Sequence, residues 1–289
     1  MLDIIDLILN VAGLLLWLNW RTVKLEPVHR PATLAGTVRR TEPLPLRRWH
    51  FLVALFLLLI VRAIFYGHIG PAVNWTPRLD LTIVAPAFPL TRNGHVFYRS
   101  AALFSLLSFI LVVLIFYFWL LALAVINRKV TSPDPMHKIV LLQLGGIGQW
   151  PLIIQLLLPF FVSVALWMGC HPLLVHIGVT SHARSNVVLL EQGLILGLNA
   201  YLSLRYLLAA ILFVYLITSY VFLGSNALWD FIGTTSRNIL LPLKWLPVRL
   251  GRIDATPVLG IILIIALLFV LPGYLLRNLD KHNLTLWPQ

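Results

Sequence analysis

The chain is 289 residues long, of which 60% are hydrophobic and 11% are charged, and its mean hydropathy is +0.90. Soluble domains are closer to half apolar and a quarter charged, so this composition excludes an ordinary soluble protein. The net charge of +12 would suit a nucleic-acid-binding protein, but the basic residues lie mainly between apolar runs. We therefore expect these charges to meet anionic lipid headgroups, and we expect no nucleic-acid partner.

The first apolar run begins with the residues MLDIIDLILN. Asp3 and Asp6 stand where a secretory signal peptide carries positive charge, and no small-residue cleavage site follows them. We therefore expect this run to be retained as a membrane helix.

Several apolar runs reach the ~20 residues that a helix needs to cross the hydrocarbon core of a bilayer. The sequence therefore predicts an all-α integral membrane protein with about six transmembrane helices. Their predicted bounds are Leu2–Trp20, His50–Ile69, Ala101–Ile126, Pro151–Cys170, Tyr201–Leu223 and Pro257–Leu275.

The loops between these runs differ in charge. Loops one, three and five contain 14 Lys and Arg residues, whereas loops two and four and the C-terminal tail contain 6. The positive-inside rule then places the odd loops in the cytoplasm and both termini outside, in a membrane that we expect to be the bacterial inner membrane. The long outer segment 66–100 contains LDLTIVAPAF, which is too short to span and is expected to lie at the interface or to re-enter.

Two of the predicted cytoplasmic junctions share a pattern: DPMHKIVLLQLGGIGQWP in the third loop and LPLKWLPVRLGRIDATP in the fifth. Each has a proline, an apolar residue and a basic cluster, followed by Leu-Gly-x-Ile. From Gly145 or Gly251 the next proline, Pro151 or Pro257, comes six residues later and opens an apolar helix. The pattern predicts a repeated unit of helix, interfacial segment and helix. Whether Pro45-Leu46-Arg47-Arg48 marks a third copy stays open, because that stretch lacks the glycine element.

The fifth-loop junction has the chemistry of a chain that turns from the interface into the bilayer. Gly251 supplies backbone freedom for the turn, Asp254 or Thr256 can cap the next helix, and Pro257 suits its first position. The preceding residues 226–243 have apolar residues at helical spacing and predict a short interfacial helix. Lys244, Arg249 and Arg252 are expected beside headgroups.

These junction residues resemble the hallmark of the YggT family of small bacterial and plastid membrane proteins. The resemblance is carried by Asn226, Pro242, Lys244, Pro247, Gly251, Asp254, Thr256 and Pro257. It is specific over about 220–270 and weaker over about 110–170, where Gly148 and Trp150 replace the acidic residue and the Ser/Thr of the pattern. It implies a degenerate unit in 101–170 and the best-matching unit, with a short C-terminal tail, in 171–289. The resemblance does not extend to 1–100, where we expect a diverged helix pair with a long outer loop.

Two arginines interrupt the predicted spans, Arg62 in the second and Arg205 in the fifth. Charges inside a span are rare and often functional, although near a helix end they can also snorkel to the interface. Both arginines, with Arg249 and Arg252, are therefore candidate contacts for an anion, a lipid or a partner. Glu191 is the expected carboxylate partner of Arg62 or Arg205.

Residues for metal or covalent chemistry lack the spacing that such chemistry needs. His171, His176 and His182 are separated by five and six residues, whereas ligands on one helix face are three or four apart. Cys170 is the single cysteine, and no general base with an orienting third group is evident beside it. We therefore expect no metal, no cofactor, no catalytic residue and no enzyme activity.

Two functions remain open at this point. The first is a non-catalytic membrane scaffold or assembly factor whose basic cytoplasmic face binds anionic lipid, another membrane protein or a second copy of the chain. The alternative is a channel or transporter component. The family resemblance implies links to ion and osmotic homeostasis, to division and envelope organisation and, in plastids, to cytochrome maturation, without an agreed biochemical activity.

Overall fold

The computed structural model describes residues 2–22, 48–81, 85–92, 95–128, 135–180, 182–183, 185–221, 224, 226–241, 249–250, 253–254, 258–263 and 266. Within them the chain forms eight α-helices and four two-residue strands, so the predicted all-α architecture is confirmed. The helices are α1 Leu2–Thr22, α2 Arg48–Ala72, α3 Tyr98–Ile126, α4 Pro135–Leu144, α5 Leu152–Ile177, α6 Asn186–Leu202, α7 Leu204–Tyr220 and α8 Ala227–Ile239. The strands are β1 Thr91–Arg92, β2 His95–Val96, β3 Arg249–Leu250 and β4 Ile253–Asp254.

Five helical segments in the described part of the chain are long and apolar enough to cross a membrane. They agree with an integral membrane protein of five to six spans. Four of them correspond to the first four predicted spans. The five segments are Leu2–Arg21, Trp49–Ala72, Tyr98–Ile126, Leu152–Ile177 and Asn186–Ser219.

The end of the fourth span differs from the prediction, which stopped at Cys170. Helix α5 continues through Pro172 to Ile177. It ends where Gly178 adopts the left-handed conformation, with φ +82, and donates its backbone N–H back to the last turn. A glycine in this conformation is a common helix terminator because it has no Cβ to clash.

The fifth span also differs from its predicted bounds of Tyr201–Leu223. The apolar segment begins at Asn186 and is 34 residues long, with only Ser203 separating α6 from α7. Ser203 itself has helical dihedrals of −64° and −25°. The predicted outer loop 171–200 therefore contains the end of α5 and nearly all of α6. Most of the predicted sixth span, Pro257–Leu275, lies outside the described residues. Within it, the described residues 258–263 are helical.

The chain divides into two compact units, and α3 contributes its first half to one and its second half to the other. The first unit consists of Met1–Leu79 and Pro86–Val113. In it, α1 packs against α2, and the connection to α3 folds back on itself, since Phe88 N–H bonds to the Pro77 carbonyl at 2.9 Å. Phe88 and Leu90 are buried, which makes this connection part of the unit's core.

The second unit contains Asp80–Ala85 and Leu114–Gln289. Its core joins the end of α3 to α4 and α8 through a cluster of buried apolar side chains. The cluster consists of Leu121, Ala124, Val140, Leu144 and Phe231. Helix α4 packs directly against α8, so segments of the predicted third and fifth loops lie together.

Helices α5 and α6 form an antiparallel hairpin within this second unit. Gly193 approaches Val164 and Trp167, Gly197 approaches Phe160, and the Tyr201 hydroxyl donates to the Leu156 carbonyl. Residue numbers therefore increase along α6 in the direction in which they decrease along α5, as in any antiparallel pair. The helix that runs back along α5 is therefore α6 and not the segment that begins at Tyr201.

Candidate functional site

A buried ionic network lies between α1, α2 and α3 in the first unit. The Arg62 side chain is 1% exposed, and its Nη2 is 2.5 Å from Asp6 Oδ1. Arg62 Nη1 donates to Asn10 Oδ1 at 2.8 Å, and Nη2 also donates to Ser108 Oγ at 2.9 Å. Arg62 Nε donates to the Tyr66 hydroxyl at 3.0 Å. All three guanidinium nitrogens are therefore used by protein partners.

The carboxylate of Asp6 is equally well occupied. It accepts hydrogen bonds from the Tyr66 hydroxyl at 2.6 Å and from Asn10 Nδ2 at 3.0 Å, in addition to Arg62. Aromatic rings enclose the pair, with the Arg62 guanidinium carbon 5.4 Å from the Tyr66 ring centre and 5.9 Å from that of Phe104. A buried ion pair is stable only when its remaining hydrogen-bonding groups are satisfied, as they are here.

This network replaces the expected pairing of Arg62 with Glu191. The prediction named the wrong partner because it looked for a carboxylate in the outer fourth loop, whereas Asp6 lies on α1. Asp6 and Asn10 are four residues apart on α1, so both project from the same face of that helix toward Arg62. Arg62 is buried, and each of its three guanidinium nitrogens donates to a protein group of this network.

Arg205 has a different environment near the start of α7. Its Nη2 donates to the Tyr206 hydroxyl at 2.6 Å, and its guanidinium carbon lies 4.5 Å from the Tyr206 ring centre. Its Nε is buried without a hydrogen-bond partner among the described residues. Arg205 therefore keeps donor capacity for a further ligand. Glu191 lies fourteen residues earlier, about 20 Å away along a continuous helix, so it is too far to pair with Arg205.

A polar contact joins the end of α3 to α8 in the second unit. Asn127 is 2% exposed; its Nδ2 donates to Thr235 Oγ1 at 2.8 Å, and its Oδ1 accepts from Asn238 Nδ2 at 3.0 Å. Thr235 Oγ1 in turn donates to the Phe231 carbonyl at 2.7 Å. This contact, which we call the α3–α8 clasp, holds the amphipathic helix α8 where the apolar helix α3 ends.

The third-loop junction has the turn that its glycine predicted. Gly145 has φ +61 and begins a short 3-10 helix, Gly145–Gln149, directly after α4. Pro151 precedes the first residue of α5 in an extended conformation. The buried Gln155 donates from Nε2 to the carbonyls of Ile147 and Gly148, both at 3.0 Å, and so ties the turn to the helix it precedes.

The fifth-loop junction is described in part. Asn226 caps α8, since its Oδ1 accepts from the Leu228 N–H at 3.5 Å, and α8 is the short amphipathic helix that the spacing predicted. Strands β3 and β4 pair so that Arg249 lies opposite Asp254 and Leu250 opposite Ile253. The remaining signature residues lie outside the described residues: Pro242, Lys244, Pro247, Gly251, Arg252, Thr256 and Pro257.

The two junctions differ in the order of their parts. Pro135 is the first residue of α4, so the proline-basic motif begins the short helix of the third loop. In the fifth loop α8 ends at Ile239, before Pro242. The correspondence between the two loops is therefore closest from the glycine onward, and the short helices are placed differently around the proline-basic motif.

Sequence reasoning missed the packing residues of the α5–α6 hairpin. A Cβ added to Gly197 would lie 2.7 Å from the Phe160 ring, and one added to Gly193 would lie 3.3 Å from Val164. These glycines form a Gly-x-x-x-Gly motif, a known signal for close helix packing in membranes. Gln192 and Asn199 are buried on the neighbouring part of α6.

Histidine, cysteine and carboxylate side chains do not gather in the described part of the chain: no three of them are close enough to hold a metal ion. His171 is buried against Trp167, with ring centres 5.7 Å apart, whereas His176 and His182 are exposed.

No protein-family model, curated protein or solved structure matches the chain. The resemblance to the YggT family rests on the fifth-loop junction residues and on the weaker pattern of the third loop. It therefore enters the functional argument only as part of a proposal.

Proposed function

We propose that the protein is a non-catalytic membrane scaffold or assembly factor whose basic cytoplasmic face binds anionic lipid or a membrane protein partner. The proposal includes the YggT-like character of its junctions. The observation that carries it is the packing of α4 against α8 at the end of α3, held by the α3–α8 clasp. Two short helices from different loops thereby form one surface.

This surface carries positive charge that is free to act. Three exposed basic residues lie on or beside its helices. Arg128 follows α3, Lys138 is on α4 and Arg237 is on α8. Each basic residue near an anionic leaflet contributes about 1 kcal/mol to membrane attraction. In contrast, the charge of Arg62 is neutralised inside the helix bundle by Asp6. Charges that stabilise the fold and charges available to partners are thus separate.

The first test measures lipid binding to detergent-solubilised protein by native mass spectrometry. We expect Arg128→Gln combined with Lys138→Gln to reduce phosphatidylglycerol affinity about thirtyfold, the effect of losing two headgroup contacts of about 1 kcal/mol each. The matched control neutralises two exposed arginines of the first unit, Arg78 and Arg99, which the charge count places outside. Equal losses from both pairs would contradict a specific cytoplasmic face.

The partner part of the proposal requires a separate experiment. Mild-detergent extraction from the native membrane should recover a stoichiometric membrane protein or a homo-oligomer, and the Arg128/Lys138 variant should recover less of it. Recovery of the chain alone as a lipid-free monomer would count against a scaffold.

A channel or transporter component is the second candidate, and Arg205 favours it. A buried guanidinium nitrogen without a hydrogen-bond partner is a group that an ion or a substrate could use. Reconstitution of the pure protein into liposomes distinguishes the candidates. Selective anion flux that Arg205→Leu abolishes would replace the scaffold proposal. Arg62→Leu is less informative, since it is expected to destabilise the fold.

A further inference from the structure

A polar cleft lies between the last turns of α7 and one side of α8. Its volume is about 340 Å³, which lies within the range of small-ligand sites. The α8 wall is formed by Asp230, Gly233, Thr234 and Arg237, which recur at helical spacing and therefore share one face. Thr218 and Ser219 of α7 are among the residues opposite. We call this space the α7–α8 cleft.

The cleft is open beside Gly233, in the middle of its α8 wall. A Cβ built on Gly233 would meet no atom within 4 Å. Glycine in a helix interior costs about 1 kcal/mol relative to alanine, so its presence calls for a reason. Free space beside it is consistent with room for a ligand.

The two ends of the cleft carry opposite charges. Asp230 lies in the first turn of α8 and Arg237 in the last, and both are exposed. Seven helical residues separate them by about 10 Å along the axis, so they do not neutralise each other. Within the described residues neither side chain has an ion-pair or hydrogen-bond partner. The cleft is therefore suited to a ligand that is itself a zwitterion.

The remaining lining groups are hydroxyl donors and an aromatic ring. Thr218 Oγ1 already donates to the Tyr215 carbonyl at 2.9 Å, which leaves Ser219 and Thr234 as hydroxyl donors. Together with the Arg237 guanidinium they match the acceptor oxygens of a phosphate. Trp229 also lines the cleft beside Asp230, and an aromatic ring with a carboxylate is a favourable setting for an ammonium group.

We propose that the α7–α8 cleft binds the phosphoethanolamine headgroup of a phospholipid, with the phosphate at Arg237 and the ammonium at Asp230. The clasp between α8 and the end of α3 favours a lipid source, since it holds the cleft beside the end of an apolar helix. The inference rests on the lipid-binding face proposed above. It adds a zwitterionic lipid and a defined site to the general attraction for anionic lipid.

The test titrates delipidated, detergent-solubilised protein with phosphatidylethanolamine and with phosphatidylglycerol and counts adducts by native mass spectrometry. Arg237→Gln and Asp230→Asn should each weaken phosphatidylethanolamine binding about tenfold, as expected for one lost charge-assisted contact. Asp230→Asn should leave phosphatidylglycerol binding unchanged, because that headgroup has no ammonium. Gly233→Leu should fill the cleft and abolish phosphatidylethanolamine binding while thermal stability is kept.

Lys138→Gln is the matched control: it lies on α4, outside the cleft, and should lower phosphatidylglycerol binding only. This control separates the two proposals. Lys138→Gln can leave phosphatidylglycerol binding unchanged, against the basic face, while the cleft variants still lose phosphatidylethanolamine. Equally, the cleft variants can keep phosphatidylethanolamine binding while Lys138→Gln lowers phosphatidylglycerol binding. Phosphatidylethanolamine binding that survives both Gly233→Leu and Asp230→Asn would overturn the cleft assignment. Soluble phosphoethanolamine that binds as tightly as the lipid would overturn the lipid source.

Discussion

Arg62 illustrates how one residue in a membrane helix determines the position of its neighbours. Its position in α2 is ten residues from the helix end, about 15 Å along the axis, which is deep in an apolar segment. A charge there must be paired or excluded from the span. Asp6, Asn10 and Ser108 supply that pairing from α1 and α3, so one arginine joins three helices.

The first prediction concerns this ion pair. Arg62→Met or Asp6→Asn alone should destabilise the protein by about 3–5 kcal/mol, because each leaves the other charge buried without its partner. Arg62→Met combined with Asp6→Leu should recover a large part of that loss. Thermal unfolding in detergent measures all three variants.

Asp3→Asn provides the control for this cycle. Asp3 is exposed one turn before Asp6 on the same helix, where its carboxylate accepts from Trp75 Nε1 at 3.1 Å. Its neutralisation should cost about 1 kcal/mol or less. If Arg62→Met were as mild as Asp3→Asn, or if the double variant were no better than the single ones, the pair would not hold the helices together.

At the scale of the element, the α5–α6 hairpin depends on glycine at the contact. Gly197→Ala would place a Cβ 2.7 Å from the Phe160 ring and 3.2 Å from the Phe160 carbonyl oxygen. We expect a loss of about 1–3 kcal/mol from this overpacking, measured as a lower unfolding temperature in detergent. Gly169→Ala on α5 is the control, since its Cβ would meet nothing within 4 Å. A neutral Gly197→Ala would contradict the close packing.

The turn before α5 provides the next prediction. Gly145 has φ +61, so Gly145→Ala should cost about 1–2 kcal/mol of folding free energy. Gly146→Ala, one residue later and with open space at its Cβ, should have little effect. If the fifth-loop junction is built in the same way, Gly251→Ala should be as harmful as Gly145→Ala. A harmless Gly251→Ala would remove the structural basis of the proposed repeat.

The sequence predicted the first three spans closely. Helices α1, α2 and α3 begin and end within about three residues of their predicted bounds, as expected from length and hydropathy alone. Helix α6 was assigned to the outer loop 171–200, where Glu191, Gln192 and Asn199 interrupt its apolar residues. Gln192 and Asn199 are buried against neighbouring helices, which a hydropathy average cannot register.

The candidate site was predictable only where it is local in sequence. The short helix α8 and the turn at Gly145 depend on nearby residues: the sequence predicted an interfacial helix within 226–243 and marked Gly145 as a junction residue. The partner of Arg62 lies 56 positions away, and the clasp joins residues more than a hundred positions apart. The Asp6 and Asn10 spacing of four on an apolar helix was the signal that could have found the first of these.

At the scale of the whole molecule, the packing of helices constrains the topology. Helix α4 lies against α8, so the third and fifth loops share one side of the membrane. Helices α5 and α6 are antiparallel, so the turn between them lies on the opposite side from the Gly145 junction. From the 14 to 6 distribution of basic residues, the positive-inside rule predicts that the third and fifth loops are cytoplasmic.

Cysteine labelling in a Cys170→Ser background tests this topology. Single cysteines in place of Gly94 and Ser181 should react with an impermeant maleimide from outside, whereas those in place of Thr41 and Ser225 should react only after permeabilisation. If each of the four positions were labelled from the side opposite to the expected one, the orientation given by the positive-inside rule would be wrong. The number of membrane crossings would still agree with the structure. Labelling of positions 181 and 225 from the same side would show that the 34-residue segment Asn186–Ser219 does not make a single crossing. The fifth loop would then lie on the opposite side of the membrane from the third loop. That result would contradict the contact between α4 and α8.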